Sequence, residues 1–233
     1  MPPSEGKADG GGTSTPFKVD SGQFGAALRP QRSLVIKQLI ALGGGDQKLL
    51  GVKGVHLELA RAKNQRILGS PCMPAWQRYT GVVWDHLDLG SLSESRRNQA
   101  LQHILIPSGL LGLISASDLI PNYKLKMGAR IAPFGALNAW WRDSITDCLA
   151  PLSHRRQVID LLPQEHRTAI NWAQISSVIR INLVSKTGGI VGGHNAKAAK
   201  GLLARHIIDA GNQDITKIVA SFQHVLYSAV IAE

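Results

Sequence analysis

Residues 108–128 read SGLLGLISASDLIPNYKLKMG, an apolar stretch that polar residues interrupt at wide intervals. The apolar run His103–Ile106 before it predicts a short strand, and Ser108–Gly112 predicts a tight turn at the end of that strand. Ligand groups often lie in a turn of this kind, because loops carry binding residues on a rigid scaffold. We therefore expect one wall of a cleft here, formed by the polar residues of the stretch: Ser108, Asp118, Tyr123 and Lys124.

The elements predicted around this stretch alternate between helices and strands. Apolar residues at helical spacing favour helices at Arg29–Leu42, Leu137–Leu149, Ala196–Ala210 and Asp214–Leu226. Alternating or short apolar runs favour strands at Leu125–Ile131, Val158–Leu162 and Ser177–Val184. A segment rich in Gly, Ser and Thr at 6–22 predicts a flexible loop. We therefore predict one compact mixed α/β domain that spans residues 1–233.

Composition limits the class of protein. The chain has 233 residues, of which 44% are hydrophobic and 18% are charged, so it can bury a sizeable core and is not a disordered chain. No apolar run reaches the roughly 18 residues that a membrane span needs, and the first residues lack a signal-peptide segment. Cys72 and Cys148 cannot form a disulfide framework or a four-ligand zinc site. We expect a cytoplasmic protein without membrane contact, bound metal or cofactor, and the sequence leaves its oligomeric state open.

The formal net charge is +10, from 26 Lys and Arg against 16 Asp and Glu. These cations do not form a terminal tail but gather in three windows, 29–66, 121–142 and 180–206. If folding brings the windows together, they form a basic cleft that can release counterions from a polyanion. The alternative is an evenly solvated basic surface without a specific partner.

The first of these windows contains LLGVKGVHLELA, residues 49–60. Gly51 and Gly54 separate two short predicted helices within 46–68, an arrangement similar to a helix-hairpin-helix. In such motifs, backbone N–H groups at the start of the second helix meet a phosphate. The side chains that would add charge around that contact are Lys53, His56, Arg61 and Lys63. The alternative is a plain helix–turn–helix corner without a ligand.

The N-terminal segment Pro2–Lys7 contains a Ser-x-Gly-Lys run. It lacks the glycine spacing of a P-loop, but Glu5 and Lys7 could take part in an anion site if the segment is ordered. Otherwise it is an unstructured terminus. Further along, Tyr79 precedes Asp85 and a second carboxylate three residues later, which could support acid–base chemistry or instead cap helices.

The segment 194–206 predicts a basic helix. His194 would stand at its N-terminus, where backbone N–H groups and the helix dipole attract anions. The cations that follow along this helix are Lys197, Lys200 and Arg205. The alternative is a solvated basic face without a ligand.

Taken in order along the chain, these segments resemble the peroxide stress protein YaaA family. The similarity covers residues 2–211 and rests on five motifs in register. They are Pro2-Pro-Ser-Glu-Gly-Lys7, Tyr79-Thr-Gly with Asp85 and Asp88, the stretch 108–128, Ala139-Trp-Trp-Arg142, and His194 to Arg205. The stretch 108–128 is the most specific of the five.

The resemblance implies a compact α/β domain with a helix-hairpin-helix element at Gly51–His56. It also implies a positively charged cleft that binds double-stranded DNA, and a cytoplasmic role in limiting oxidative damage. By motif matching, the cleft residues would be Lys7, Tyr79, Ser108, Tyr123, Lys124, Lys197, Lys200 and Arg205.

Two functions therefore stay open. The first is a DNA-binding stress-protection protein, which explains the net charge. The second is an enzyme that acts on a small anionic or nucleobase-like substrate, for instance in the biosynthesis of a specialised metabolite. Its catalytic residues would come from Glu5, Lys7, Tyr79, Asp85, Ser108, Asp118 and Tyr123, whose pKa values a cleft can tune. A wide basic groove favours the first function, and a closed pocket favours the second.

Overall fold

The computed structural model describes residues 1–232, and helices of very different length make up much of this range. Their bounds are α1 Gly25–Ala41, α2 Gln47–Leu50, α3 Val55–Gln65, α4 Ala75–Arg78, α5 Val82–Leu87, α6 Glu94–Leu101, α7 Leu137–Ser153, α8 Gln164–Arg167, α9 Gly193–Ala210 and α10 Ile215–Ser221. None of these helices combines the length and the apolar character that crossing a bilayer requires.

The strands are short and are divided among several small sheets. Their bounds are β1 Gly6–Lys7, β2 Met73–Pro74, β3 Tyr79–Thr80, β4 Leu105–Ser108, β5 Gly112–Ser115, β6 Leu119–Ile120, β7 Arg130–Ile131, β8 Gly135–Ala136, β9 Val158–Asp160, β10 Val178–Ser185 and β11 Tyr227–Ile231. Four antiparallel pairs form, β1–β3, β2–β6, β4–β5 and β7–β8, and one three-stranded sheet has the order β11–β10–β9. The predicted mixed α/β class is confirmed.

In the three-stranded sheet, β10 runs antiparallel to β11 and parallel to β9. Asp160, the last residue of β9, lies opposite Arg180 and has a fully buried side chain. Its Oδ2 accepts hydrogen bonds from Arg167 Nε at 2.7 Å and from Arg180 Nε at 3.1 Å. Its Oδ1 accepts one from the Leu162 N–H at 2.8 Å. One buried carboxylate therefore joins β9, β10 and α8 through charge-assisted hydrogen bonds.

Helices α5 and α9 pack closely at Gly201. A Cβ at this position would overlap the carbonyl oxygen of Val83 and would lie 2.7 Å from Cβ of His86. Only a residue without a side chain allows the two helices to approach this closely, so this glycine sets the distance between them.

The turn after β4 is held by two large buried side chains, Trp141 and Arg32. Trp141 Nε1 donates to the Gly109 carbonyl at 2.9 Å, and its ring lies against Gly112, whose φ is +70°. The Arg32 guanidinium donates to the Leu111 carbonyl at 2.8 Å and to three further carbonyls. The polar turn predicted at the end of the strand is therefore rigid, because the core supplies its hydrogen-bond partners.

Helices α1, α7 and α9 and strands β4, β9 and β10 confirm the corresponding predictions, with ends that differ by a few residues. Within the predicted strand Leu125–Ile131, however, only Arg130–Ile131 pairs with another strand. A side chain holds the backbone just before it: Asn64 Oδ1 accepts from the Lys124 N–H at 2.8 Å, and Asn64 Nδ2 donates to the Lys124 carbonyl at 2.9 Å. The alternation of apolar and polar residues predicts which side chains are buried and which are exposed. A strand forms, however, only where a neighbouring strand pairs with its backbone.

The helix predicted at Asp214–Leu226 is shorter than expected. The Asp214 carboxylate caps its start by accepting from the N–H groups of Thr216 and Lys217. The helix ends at Ser221, because Phe222 takes an extended conformation and is buried in the core. The remaining residues lead into β11.

The segment 6–22 is irregular after β1 and is attached to the rest of the chain at several points. Gly12 pairs with Cys72, and the Phe17 N–H donates to the Ser70 carbonyl at 3.0 Å. The Phe17 side chain is buried in the core. The flexibility of this segment stays a prediction.

Candidate anion-binding site

The site forms where the N-terminal segment crosses the middle of the chain. Strand β1 pairs with β3, which places Lys7 opposite Tyr79. The buried guanidinium of Arg78 donates to the carbonyls of Ala8 and Gly10, so the residues after β1 are fixed as well. Two motifs that are far apart in sequence therefore meet at this point.

Three buried hydroxyl groups form a chain beside Lys7. The hydroxyl oxygens of Tyr79 and Tyr123 lie 2.9 Å apart, and those of Tyr123 and Ser108 lie 2.6 Å apart. Ser108 Oγ also accepts from the Leu111 N–H at 3.1 Å. Burial raises the pKa of Tyr123, and it raises the pKa of Tyr79 well above the usual value, so both phenols are protonated at neutral pH.

The Lys7 amine lies over the faces of both aromatic rings. Its Nζ is 4.2 Å from the ring centroid of Tyr123 and 5.3 Å from that of Tyr79, and it donates to the Ser4 carbonyl at 3.1 Å. No carboxylate among residues 1–232 lies within ion-pair distance of it. Burial, together with the nearby charge of Lys124, lowers the pKa of Lys7 to about 7. A large fraction of this amine is therefore neutral at pH 7.

Two ion pairs lie close to the amine. Lys124 Nζ and Glu5 Oε2 are 2.8 Å apart, and Lys63 Nζ and Asp9 Oδ1 are 2.6 Å apart. The hydrogen bond from Lys124 lowers the pKa of Glu5, and the hydrogen bond from Lys63 lowers the pKa of Asp9. Both carboxylates are therefore ionised and bound to lysines other than Lys7.

Two cavities meet at Lys7, a larger one of about 200 Å³ and a smaller one of about 60 Å³. Both are lined by Glu5, Lys7, Tyr123 and Lys124. The larger cavity lies against α3 and is also lined by His56, Lys63 and Asn122. The smaller one is also lined by Gly109, Lys126, Glu165 and His166. Lysines outnumber carboxylates in both linings, so the site is suited to an anion.

His166 contributes a neutral imidazole to the smaller cavity. Its Nδ1 is buried and has no hydrogen-bond partner among residues 1–232. Burial lowers the pKa of His166 to about 4, although the neighbouring charge of Glu165 opposes the shift. A ring nitrogen of this kind can accept a hydrogen bond from a small ligand or donate one to it, depending on the tautomer.

The sequence model of the peroxide stress protein YaaA family matches residues 3–229 of the chain. The chain belongs to the YaaA family. It is 33% identical over 222 residues to a UPF0246 protein of Streptomyces coelicolor, and the aligned region covers 91% of this chain and 82% of the relative. It is 32% identical over 211 residues to a UPF0246 protein of Corynebacterium glutamicum, and the aligned region covers 88% of this chain and 82% of the relative. The resemblance drawn from the five motifs is thus confirmed.

In this YaaA-family chain, the segment predicted as a hairpin consists of α2 and α3. The residues between them include Gly51 and Gly54, with φ of +67° and +58°, which favour glycine. A Cβ at Gly51 would lie 3.7 Å from Lys126 Nζ, whereas one at Gly54 would meet nothing within 4 Å. Arg61 donates to the Gly43 carbonyl at 3.3 Å. The assignment as a helix-hairpin-helix motif stays a prediction.

The other predicted residues of the YaaA motifs differ in their distance from the cavities. Tyr79 and Ser108 contact the site through the hydroxyl of Tyr123. Asp118 lines neither cavity. Its carboxylate accepts from the Gln23 N–H at 2.9 Å and the Ser115 N–H at 3.0 Å, so it joins the segment before α1 to the end of β5. Lys53 and Asp85 are exposed and also lie outside the two linings.

The predicted cations of α9 line neither cavity. Lys200 Nζ donates to the Leu161 carbonyl at 2.8 Å, and burial lowers its pKa to about 8. Arg205 pairs with Asp209 at 2.8 Å and donates to the Asp88 carbonyl at 2.9 Å. The remaining two, His194 and Lys197, are exposed. Two of the four expected anion ligands are thus occupied within the protein.

Four polar residues of the two linings were not predicted as site residues from the sequence: Asn122, Lys126, Glu165 and His166. The first two belong to the stretch 108–128, and their positions beside Tyr123 and Lys124 were an available signal. Glu165 and His166 lie in α8, in a different part of the chain, and no spacing connects them to the motifs.

Proposed function

We propose that this YaaA-family protein binds double-stranded DNA through the basic surface around α2 and α3, and that this binding serves protection against peroxide stress. The observation that supports the proposal is the gathering of lysines beside the α2–α3 turn. Lys53 is exposed in the turn, Lys126 reaches Gly51, and Lys63 and Lys124 lie at the cavity against α3. Lysines arranged in this way bind a phosphate backbone without reading its sequence.

The start of α3 adds backbone donors to these charges. The first N–H groups of a helix have no acceptor within the helix, and in the described part of the chain no side chain caps α3. Gly54 precedes it in an open position, where nothing would lie within 4 Å of a Cβ. A phosphate can therefore approach the N–H groups of Val55 and His56. The lysines and the free N–H groups at the start of α3 together support the proposal that a DNA phosphate binds there.

The double variant Lys53→Ala/Lys126→Ala tests this interface by titration of a DNA duplex at several salt concentrations. Each lysine that contacts a phosphate contributes about one unit to the slope of log K against log salt, so the slope should fall by about two. The matched control is Lys186→Ala/Lys217→Ala, which removes the same charge at two exposed positions elsewhere.

Comparing the salt slopes of the two double variants distinguishes phosphate contacts at this surface from a general effect of net charge. A reduced slope in the first variant and an unchanged slope in the control support the proposal. Equal slopes in the wild-type protein and the Lys53→Ala/Lys126→Ala variant exclude this surface. Loss of peroxide survival in cells that carry only the first variant would connect the binding to stress protection.

The cavities favour a second candidate function, an enzyme for a small anionic substrate. A DNA duplex cannot enter a cavity of about 200 Å³, yet this cavity is lined by three lysines, Lys7 among them, against one carboxylate. Buried amines with altered pKa values are typical of reactive sites. Calorimetric titration with small carboxylates and phosphates tests this function. If the Lys7→Arg variant no longer binds a ligand that the wild-type protein binds, that ligand occupies the pocket and not the DNA surface.

A further inference from the structure

Lys7 has properties that DNA binding does not use. Its side chain lines both cavities, and its amine lies over the ring faces of Tyr79 and Tyr123. The carboxylates nearby, Glu5 and Asp9, are bound to other lysines. A lysine that serves only as a counter-ion would be paired with a carboxylate. The Lys7 amine donates to the Ser4 carbonyl and has no carboxylate partner among residues 1–232, so at the cavity wall it is available as a nucleophile.

We propose that Lys7 forms an imine with a small aldehyde or ketone that carries one carboxylate or phosphate group and occupies the larger cavity. This inference rests on the second candidate function and does not depend on DNA binding. In this reaction Lys7 is the nucleophile that attacks the carbonyl carbon and becomes covalently bound to it.

The lining of the larger cavity selects an anion of limited size. Lys63 and Lys124 stand on the same lining as Lys7, with Glu5 as the carboxylate among them, and His56 adds a further polar group. The volume of about 200 Å³ equals that of about six or seven water molecules in the liquid, so it admits a ligand with a similar number of heavy atoms. Small oxo acids meet both conditions.

The chemical step is balanced without a further reactant. The lone pair of neutral Nζ attacks the carbonyl carbon while the C=O π pair moves to oxygen, which takes up a proton as the nitrogen releases one. The resulting carbinolamine loses its hydroxyl group together with the remaining N–H proton as water while the C=N bond forms, and the imine nitrogen then takes up a proton from solvent. One amine and one carbonyl thus give one imine and one water, and no group is oxidised or reduced. A pKa of about 7 supplies the neutral amine, and the aromatic faces of Tyr79 and Tyr123 stabilise the protonated imine.

Reductive trapping tests the proposal. The full chain is incubated with pyruvate and sodium cyanoborohydride at pH 7, digested and mapped by mass spectrometry. We expect at least tenfold more adduct on Lys7 than on Lys217, because Lys217 is exposed and lines neither cavity. The yield on Lys7 should be half-maximal near pH 7. Acetone, which lacks the carboxylate, should give at least tenfold less adduct on Lys7.

The variant Lys7→Arg keeps the positive charge but cannot form an imine, and it should lose the adduct. Lys217→Arg is the matched control and should keep it. If Lys7→Arg does not fold, as circular dichroism would show, the peptide map of the wild-type protein decides. Equal labelling of Lys7 and Lys217 in that map overturns the proposal.

Calorimetry with pyruvate separates this inference from the function on which it rests. Binding of pyruvate without an adduct on Lys7 overturns the imine and leaves the second candidate function standing. The absence of both binding and adduct overturns the imine and removes the support for an oxo-acid substrate.

Discussion

Replacing Asp160 with Asn probes the buried carboxylate that joins β9, β10 and α8. The change keeps the shape of the side chain and removes one oxygen and the charge. Oδ1 still accepts from the Leu162 N–H, so that hydrogen bond persists. At the position of Oδ2, however, an amide group would face two guanidinium donors, from Arg167 and Arg180.

The expected loss of stability in Asp160→Asn follows from the burial of the carboxylate. The carboxylate has no exposed surface, and its two arginines are only partly exposed, at 16% and 34%. Removing one partner of a buried ion pair costs about 3–5 kcal/mol, because the remaining charges stay desolvated. For a chain of this size, a loss of 1 kcal/mol lowers Tm by about 2–4 °C, so Asp160→Asn should lower Tm by about 6–20 °C.

Thermal unfolding followed by circular dichroism measures the effect, and Asp209→Asn is the matched control. Asp209 also pairs with two arginines, at 2.8 Å and 3.8 Å, but it is 41% exposed. An exposed pair contributes about 1 kcal/mol or less, so the control should shift Tm by no more than about 4 °C. Equal shifts in the two variants would refute the argument that burial, and not the number of arginines, determines the energy.

Three further predictions concern the site and its support. Tyr123→Phe should destabilise the fold by about 2–4 kcal/mol in urea denaturation, because it leaves two buried hydroxyls without their shared partner, whereas Tyr79→Phe should cost about 1 kcal/mol. Gly201→Ala should cost about 1–3 kcal/mol in the same assay, even though Ala favours a helix by about 1 kcal/mol, because the new Cβ would overlap α5. A gain in stability would contradict the helix contact. Because the pKa of His166 is about 4 in the folded chain and about 6.5 when unfolded, only the unfolded chain takes up this proton between these values. Stability should therefore decline as pH falls from about 6.5 to about 4, and His166→Gln should reduce that decline.

The sequence predicted the longer elements because their periodicity is strong. The apolar spacing in α1, α7 and α9 and the alternation in β10 each extend over enough residues to indicate a type of element. The strands that build the site have no such signal. Strand β1 and strand β3 contain two residues each, and their pairing depends on tertiary packing alone.

Residue type predicted the members of the site better than their roles. Tyr79, Ser108 and Tyr123 were expected together on the basis of motif order, and they share a chain of hydroxyls. Asp118 and Lys200 carry the charges that a cleft uses, but both are bound to backbone groups of the protein. A sequence does not show whether a polar side chain faces a ligand or a backbone carbonyl, because both environments favour the same residue types.

The pairing of β1 with β3 and the bond between Glu5 and Lys124 have a consequence for synthesis. During translation the first ten residues leave the ribosome early, but their partners at Tyr79 and Lys124 emerge much later. Until then the segment with Lys7 has nothing to pair with, so the nascent chain cannot assemble the pocket in stages. Contacts across such long sequence separations also slow folding. The pocket and the reactivity of its amine should therefore arise together, late in folding, and a fragment that ends before Lys124 should contain neither.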